Sequence, residues 1–230
     1  MIVHAHISPA KHEKCILFFN GWGMDCNAVK HLQSSDYDVF VCYDYRNFTK
    51  QELVFDSYKE VSVIAWSLGV WVAEQLLASH FPKFTKTIAI NGTPQPIDNN
   101  MGIVEQVFAH TLESWNEHNR KKFNARMCGG NKQLLEYMPF MSQRSCEEQR
   151  EELQFLYTAI LNNAHKYSDN KAFHNDKPQW TEAIIGTKDL IFTAENQHNY
   201  WQNRTNCRTL PLPHFPFAEF QSWDEIVYIV

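Results

Sequence analysis

Apolar runs separated by polar turns divide the chain into two textures. Cys15–Phe19, Val39–Tyr43, Val61–Trp66, Thr87–Ile90, Glu182–Ile185 and Arg208–Leu212 are short and mostly apolar, the pattern of strands covered on both faces. Ile2–Ile7 alternates instead, as an edge strand with one wet face does. Between the runs, Cys26–Leu32, Leu68–Ser79 and Glu195–Asn203 read as helices, with Val72, Leu76 and Leu77 at turn spacing in the second. Strand and helix in alternation predict an α/β protein, a mostly parallel sheet flanked by helices.

The texture changes at Thr93. From there to Pro178 the strand pattern stops, and Val104, Val107, Phe108, Thr111, Leu112 and Trp115 recur at helical spacing. Leu134–Met141 and Glu147–Leu161 continue it, with Leu153, Leu156, Ile160 and Leu161 apolar in the last. A chain of 230 residues suits one large domain. Residues 1–92 and 179–230 are therefore expected to form the core, and 93–178 a helical cap inserted into it. Of the eight glycines, Gly21, Gly23, Gly69, Gly92 and Gly186 each follow an apolar run, where a chain reversal favours left-handed backbone.

Composition removes several classes of function. Hydrophobic residues make up 44% and charged residues 20%, which requires a packed core and excludes a disordered or collagen-like chain. A net charge of −5 offers no overall basic balance for nucleic acid or an anionic membrane surface. The six cysteines form no C-x-x-C pair, and His4 and His6 belong to no HExxH-like arrangement, so no metal is expected. No phosphate-cradling glycine loop appears, and no cofactor is expected. Without a basic leader or an apolar stretch of ~18 residues, the expectation is a cytoplasmic monomer with no membrane partner.

Ala65-Trp66-Ser67-Leu68-Gly69 follows the strand pattern VSVIAW and opens a helix. That is the setting of a nucleophile elbow, normally G-x-S-x-G, in which a tight turn lifts a serine above the sheet edge. The competing reading is an ordinary helix N-cap serine. A nucleophilic serine needs an imidazole to take its proton and an acid to orient the imidazole. Asp189 follows EAIIG in IIGTKD, and His214 follows TLPLP in LPHFPF. They come in the order serine, acid, histidine, each after a late strand. A turn-forming aspartate and a loop histidine packed by Phe215 and Phe217 are the plain alternatives. The oxyanion of acyl transfer needs two N–H donors, for which Leu68, next to the serine, and Trp22, in the loop Asn20-Gly21-Trp22-Gly23, are the candidates. A glycine-rich turn with a packing tryptophan is the alternative there.

The segments FFNGWGMD, AWSLGVWVA, GTKD and LPHFPF resemble the BioG-type pimeloyl-acyl-carrier-protein methyl ester esterases of biotin synthesis, which are α/β-hydrolases. The likeness covers roughly residues 15 to 95 and 180 to 217. Asn20 stands where many α/β-hydrolases carry the His of an HG dipeptide, and Ala65 replaces the first Gly of the elbow; both look typical of the BioG type. The resemblance implies Ser67, Asp189 and His214 as a triad, Trp22 and Leu68 as oxyanion donors, and an acyl carrier protein as the partner that brings the substrate. Within the cap, residues 118 to 135 hold Arg120, Lys121, Lys122, Arg126 and Lys132 and no acid. Arg120, Lys121, Lys122 and Arg126 are thus the expected carrier-protein contacts, with a solvated helix face as the plain alternative. Trp22, Trp66, Phe123, Phe140 and Phe155 are the expected apolar lining of the acyl site. Hydrolysis of another small ester or thioester would suit the same residues, as would a fold retained for binding alone.

Overall fold

The computed structural model describes residues 1–8, 12–47, 55–169 and 180–229. Seven strands form one sheet: β1 (Ile2–His6), β2 (Lys14–Phe19), β3 (Tyr37–Tyr43), β4 (Glu60–Trp66), β5 (Lys86–Ile90), β6 (Glu182–Lys188) and β7 (Asn206–Pro213). Their order is β1-β3-β2-β4-β5-β6-β7. Every neighbouring pair is parallel except β1 with β3, so the one strand with alternating sequence is the antiparallel edge. Three helices accompany the sheet: α1 (Leu68–Leu77), α6 (Ala194–Trp201) and α7 (Trp223–Val227). Four fall between β5 and β6: α2 (Glu105–Glu113), α3 (Glu117–Cys128), α4 (Asn131–Tyr137) and α5 (Cys146–Asp169). The expected end of the cap, at residue 178, lies outside the described residues.

Side chains of successive strand residues point to opposite faces, and the apolar runs of β2, β4 and β5 are continuous because both faces are covered; β7, at the other edge, is mostly exposed or half-buried. Cys15, Leu17 and Phe19 with Val63, Ala65, Ala89, Ala183 and Ile185 form one core cluster, shared with α1. Ile16 and Phe18 with Ile64, Trp66, Ile88, Ile90 and Ile184 form the other, shared with α7 and the segment Phe215–Phe220. Each Val, Leu, Ile or Phe side chain among these taken fully out of water contributes about 1.5–3 kcal/mol. The first cluster also takes in Leu153, Leu156 and Ile160 of α5, which is how the intervening helices are fastened to the sheet.

Two local expectations change. The stretch from Cys26 forms only a 3₁₀ turn, Cys26–Val29, capped by Asp25 accepting from the Asn27 N–H. Of the five glycines placed at strand ends, Gly23 alone has a positive φ, +75°. The left-handed backbone falls instead on Asp44, Ser67, Asn91 and Asn203, and on Gly129 and Gly130 in the helical segment. Gly69 and Gly92 are there for closeness: a Cβ would sit 2.4 Å from the Phe19 carbonyl oxygen at the first and 2.4 Å from that of Ser67 at the second.

Candidate active site

The C-terminal ends of β4, β6 and β7 bring three distant residues together. Ser67 occupies the step between β4 and α1 with φ 57° and ψ −128°, a region L-residues enter only where the surroundings enforce it. Here its N–H donates to Ile90 O on β5 at 3.0 Å, and Gly69 and Gly92 let the neighbouring chain close in. Its hydroxyl makes no capping bond to α1; instead Ser67 Oγ lies 3.0 Å from His214 Nε2. His214 Nδ1 lies 2.8 Å from Asp189 Oδ2. A carboxylate can only accept, so Nδ1 carries the proton and Nε2 is free to accept from the serine. Ser67, His214 and Asp189 are all buried.

Asp189 also performs the turn role its sequence suggested. Its Oδ1 accepts from the N–H groups of Ile191 and Phe192 at 2.8 and 2.9 Å, which leaves Oδ2 for His214 and for Gln197 Nε2 at 3.2 Å. An irregularity in the β6–β7 register between Gly186 and Lys188 precedes it. The carbonyl of His214 is held by Trp66 Nε1 at 2.7 Å and Asn91 Nδ2 at 3.1 Å. Asn91, buried with φ 46°, also donates to Pro213 O and accepts from the Gly186 N–H. One side chain thus ties the end of β5 to the loops carrying both the acid and the histidine. The Phe192 ring stacks on the His214 imidazole, 11° from parallel.

A cleft of about 550 Å³, open to solvent, reaches Ser67 and His214. Its walls are mostly apolar, from Trp22, Trp66, Ile103, Phe108, Phe123 and Leu153 among others, and among the described residues Arg126 is the one charged side chain of the Lys, Arg, Asp and Glu kind on them. Leu68 and Trp22 both border it. The backbone N–H groups of these two donate to no described residue. The Trp22 indole donates to Gln149 O at 2.7 Å and packs on Trp115 and Phe123, so the ring is occupied with packing.

Phe140 and Phe155, expected in the acyl site, do not line it. Phe140 belongs to the short turn Met138–Phe140 and stacks on His31, 4.1 Å between centroids. Phe155 is two residues from Leu153 on α5, and about 100° of helix per residue turns it from the cleft. The basic residues of α3 also separate. Arg126 is one helical turn from Phe123, at the cleft, and donates to Leu190 O at 2.8 Å. Arg120 is engaged by Glu117 and by Arg144 O. Lys121 and Lys122 are exposed. Glu117 lies one residue before the acid-free stretch 118–135, which is why its pairing with Arg120 is invisible in the composition of that stretch.

Sequence reasoning did not single out Asn91, Gln149, Glu152 or Arg144. Glu152 is fully buried on α5; it pairs with Arg144 Nη1 at 2.6 Å and accepts from the N–H groups of Gly23 and Tyr45. Burial pushes its carboxyl up, and Arg144 and those two donors pull the other way. Asp44 is held below the usual carboxylate range because Arg46 and Arg144 outweigh its burial. Asn91 had a signal, an Asn just after an apolar run, where αL backbone favours Asn. Glu152 had none, since a buried acid looks like any other in a polar helix. Among the described residues there is no cluster of side chains suited to a metal, and no helix long and apolar enough to cross a membrane.

A mostly parallel sheet with a positive-φ serine after its central strand, an acid after β6 and a histidine after β7 defines an α/β-hydrolase of the esterase kind. The family model described as pimeloyl-ACP methyl esterase BioG matches residues 3–226, and the chain belongs to that family. The crystal structure of BioG from Haemophilus influenzae superposes with a TM-score of 0.85 at 32% identity, over 97% of this chain and 98% of that one. A Haemophilus influenzae protein is 35% identical over 217 residues, 93% of this chain and 94% of its own length. A Bacteroides fragilis protein named malonyl-[acyl-carrier protein] O-methyltransferase is 37% identical over 198 residues, 86% of this chain. The chain spans only 38% of that relative's length. A lipase-esterase related protein from Clostridium acetobutylicum shares the fold at a TM-score of 0.63, 16% identity and coverage of 94% and 93%.

Proposed function

We propose that this protein is a serine carboxylesterase that hydrolyses the methyl ester of pimeloyl-acyl-carrier protein to pimeloyl-acyl-carrier protein and methanol. The observation that carries the reading is the hydrogen-bonded chain Ser67–His214–Asp189 opening onto an apolar cleft, in a chain of the BioG family. His214 Nε2 takes the Ser67 proton as Oγ attacks the ester carbonyl. The N–H groups of Trp22 and Leu68 receive the oxyanion. The imidazolium, steadied by Asp189, returns its proton to the departing methoxide. Water then attacks the acyl-serine, its proton passing through His214 back to Ser67, and the free carboxylate leaves.

The apolar walls suit the methylene chain of the acyl group. The described helices between β5 and β6 serve as a cap over the cleft, and Arg126 at the wall with Lys121 and Lys122 outside supplies positive charge toward an acidic carrier protein and the phosphate of its arm. The test is incubation of purified protein with methyl-pimeloyl-carrier protein, following methanol release and the mass of the carrier. One methanol per carrier and loss of the methyl group are expected. Turnover of simple esters with no release from the carrier-bound ester would replace this substrate with another small ester. Growth without biotin of a strain lacking its own carrier esterase gives the cellular form of the same test.

A further inference from the structure

The loop that carries Trp22 is held from the helical segment and not only from the sheet. The Gly23 N–H donates to Glu152 Oε2 at 3.0 Å, the Gly23 carbonyl accepts from Gln149 Nε2 at 2.8 Å, and the Trp22 indole donates to the Gln149 carbonyl at 2.7 Å. Gln149 and Glu152 are three residues apart on α5 and so share a face. The other Glu152 oxygen accepts from the Tyr45 N–H at 2.8 Å, in the loop after β3. Arg144 closes the arrangement, pairing with Glu152 at 2.6 Å and with Asp44 at 3.2 Å. A carboxylate with no exposed surface is costly unless donors surround it. Two of its three donors here are backbone N–H groups of the loops after β2 and β3.

We infer that Glu152, with Gln149 and Arg144, is a positioning residue that fixes the Trp22–Gly23 backbone so that the Trp22 N–H points at the oxyanion. The inference rests on the reading of Ser67 as nucleophile and Trp22 as donor. It gives the helical segment a part in the chemical step as well as in covering the substrate. A donor misplaced by a fraction of an ångström loses more in the transition state than in the ground state, because the charge it meets develops only there.

The test uses the full chain with p-nitrophenyl butyrate, active sites being counted by fluorophosphonate labelling so that only folded enzyme enters the rate. Glu152→Gln keeps the shape and removes the charge; Gln149→Leu removes one bond to Gly23 and leaves no buried charge unpaired. Glu152→Gln is expected to lower kcat about tenfold to a hundredfold, with KM within about twofold. Affinity for a trifluoromethyl ketone, which forms a tetrahedral oxyanion on the serine, should fall by the same factor as kcat/KM. Gln149→Leu should show a smaller loss in the same proportion, and it decides alone if Glu152→Gln does not fold. Unchanged kcat per labelled site, or a rise in KM alone, overturns the inference. Failure of the underlying reading shows separately, as activity retained by Ser67→Ala in the same assay.

Discussion

The strand ends and α3 carry residues singled out for two different tasks, and the fold treats them differently. Ser67, Asp189 and His214 are buried; Ser67 and His214 are anchored to chain far away in sequence, at Ile90, Asn91 and Trp66, and Asp189 by the turn it forms with Ile191 and Phe192, by Gln197 and by His214. On α3 the helix buries only Met127 and Cys128; Lys121 and Lys122 are exposed, and Arg126 touches the cleft from its edge. Groups that must meet reacting atoms to within a few tenths of an ångström sit where packing overdetermines them. On the proposed mechanism, groups that would only present charge to a large partner, such as Lys121 and Lys122, sit at the exposed surface.

Substitutions at the strand ends should break the chemistry itself. On the proposed mechanism Ser67→Ala has the largest effect, a fall in turnover of about 10⁴-fold or more with the fold intact. Ester hydrolysis by a preparation free of other labelled serines, with melting temperature as control, checks it; substantial residual turnover would remove Ser67 from the role. Asp189→Asn is expected next, at up to about 10⁴-fold in kcat with little change in KM, as the imidazolium loses its charged partner. Near-wild-type activity would mean that another acid serves. Asp176, a further aspartate before β6, lies outside the described residues.

Substitutions on α3 should sharpen the contrast by sparing chemistry. Reversing Lys121 and Lys122 to Glu is expected to raise KM for the carrier-bound ester several-fold and flatten its salt dependence, while p-nitrophenyl butyrate is hydrolysed as before. Equal loss on both substrates would show that α3 had been damaged. The smallest effect belongs to the sheet side and concerns stability alone. Burial raises the Glu74 pKa to about 7, against the Trp180 indole N–H that donates to it at 3.1 Å. An acid whose pKa is higher folded than unfolded stabilises the fold when protonated. Its contribution is therefore greatest below about pH 4.5 and is lost as pH rises through 7. Glu74→Gln should match wild type near pH 4.5 and exceed it by about 3 kcal/mol at pH 8 in denaturant unfolding; parallel curves at both pH values would place the titration elsewhere.

The same contrast decides what was legible in the sequence. Six largely apolar runs and one alternating segment mark the seven strands because the central strands of a parallel sheet are covered on both faces and hold few polar positions. Ser67, Asp189 and His214 stand out because the elbow and the order of strand ends constrain them together. Phe140 and Phe155 could not be placed, since apolar periodicity says that a residue is covered but not by what. The glycine reading mistook close approach for positive φ: both favour a missing Cβ, and only the packing of Gly69 against Phe19 and of Gly92 against Ser67 tells them apart. Glu152 was hidden because its partners, Gly23, Tyr45 and Arg144, come from three separate segments.

The hydrogen-bonded chain Ser67–His214–Asp189 closes across a separation of 147 residues in sequence, and its histidine sits just past β7, the last strand in sequence and an edge of the sheet. On the proposed mechanism, a chain growing from the ribosome carries its elbow serine long before any base can reach it. Such a chain stays inert toward esters until β7 docks beside β6. Contacts this distant make for slow closure. The onset of ester hydrolysis during refolding would then time the completion of the sheet, lagging behind the helical signal that reports α1 and α5.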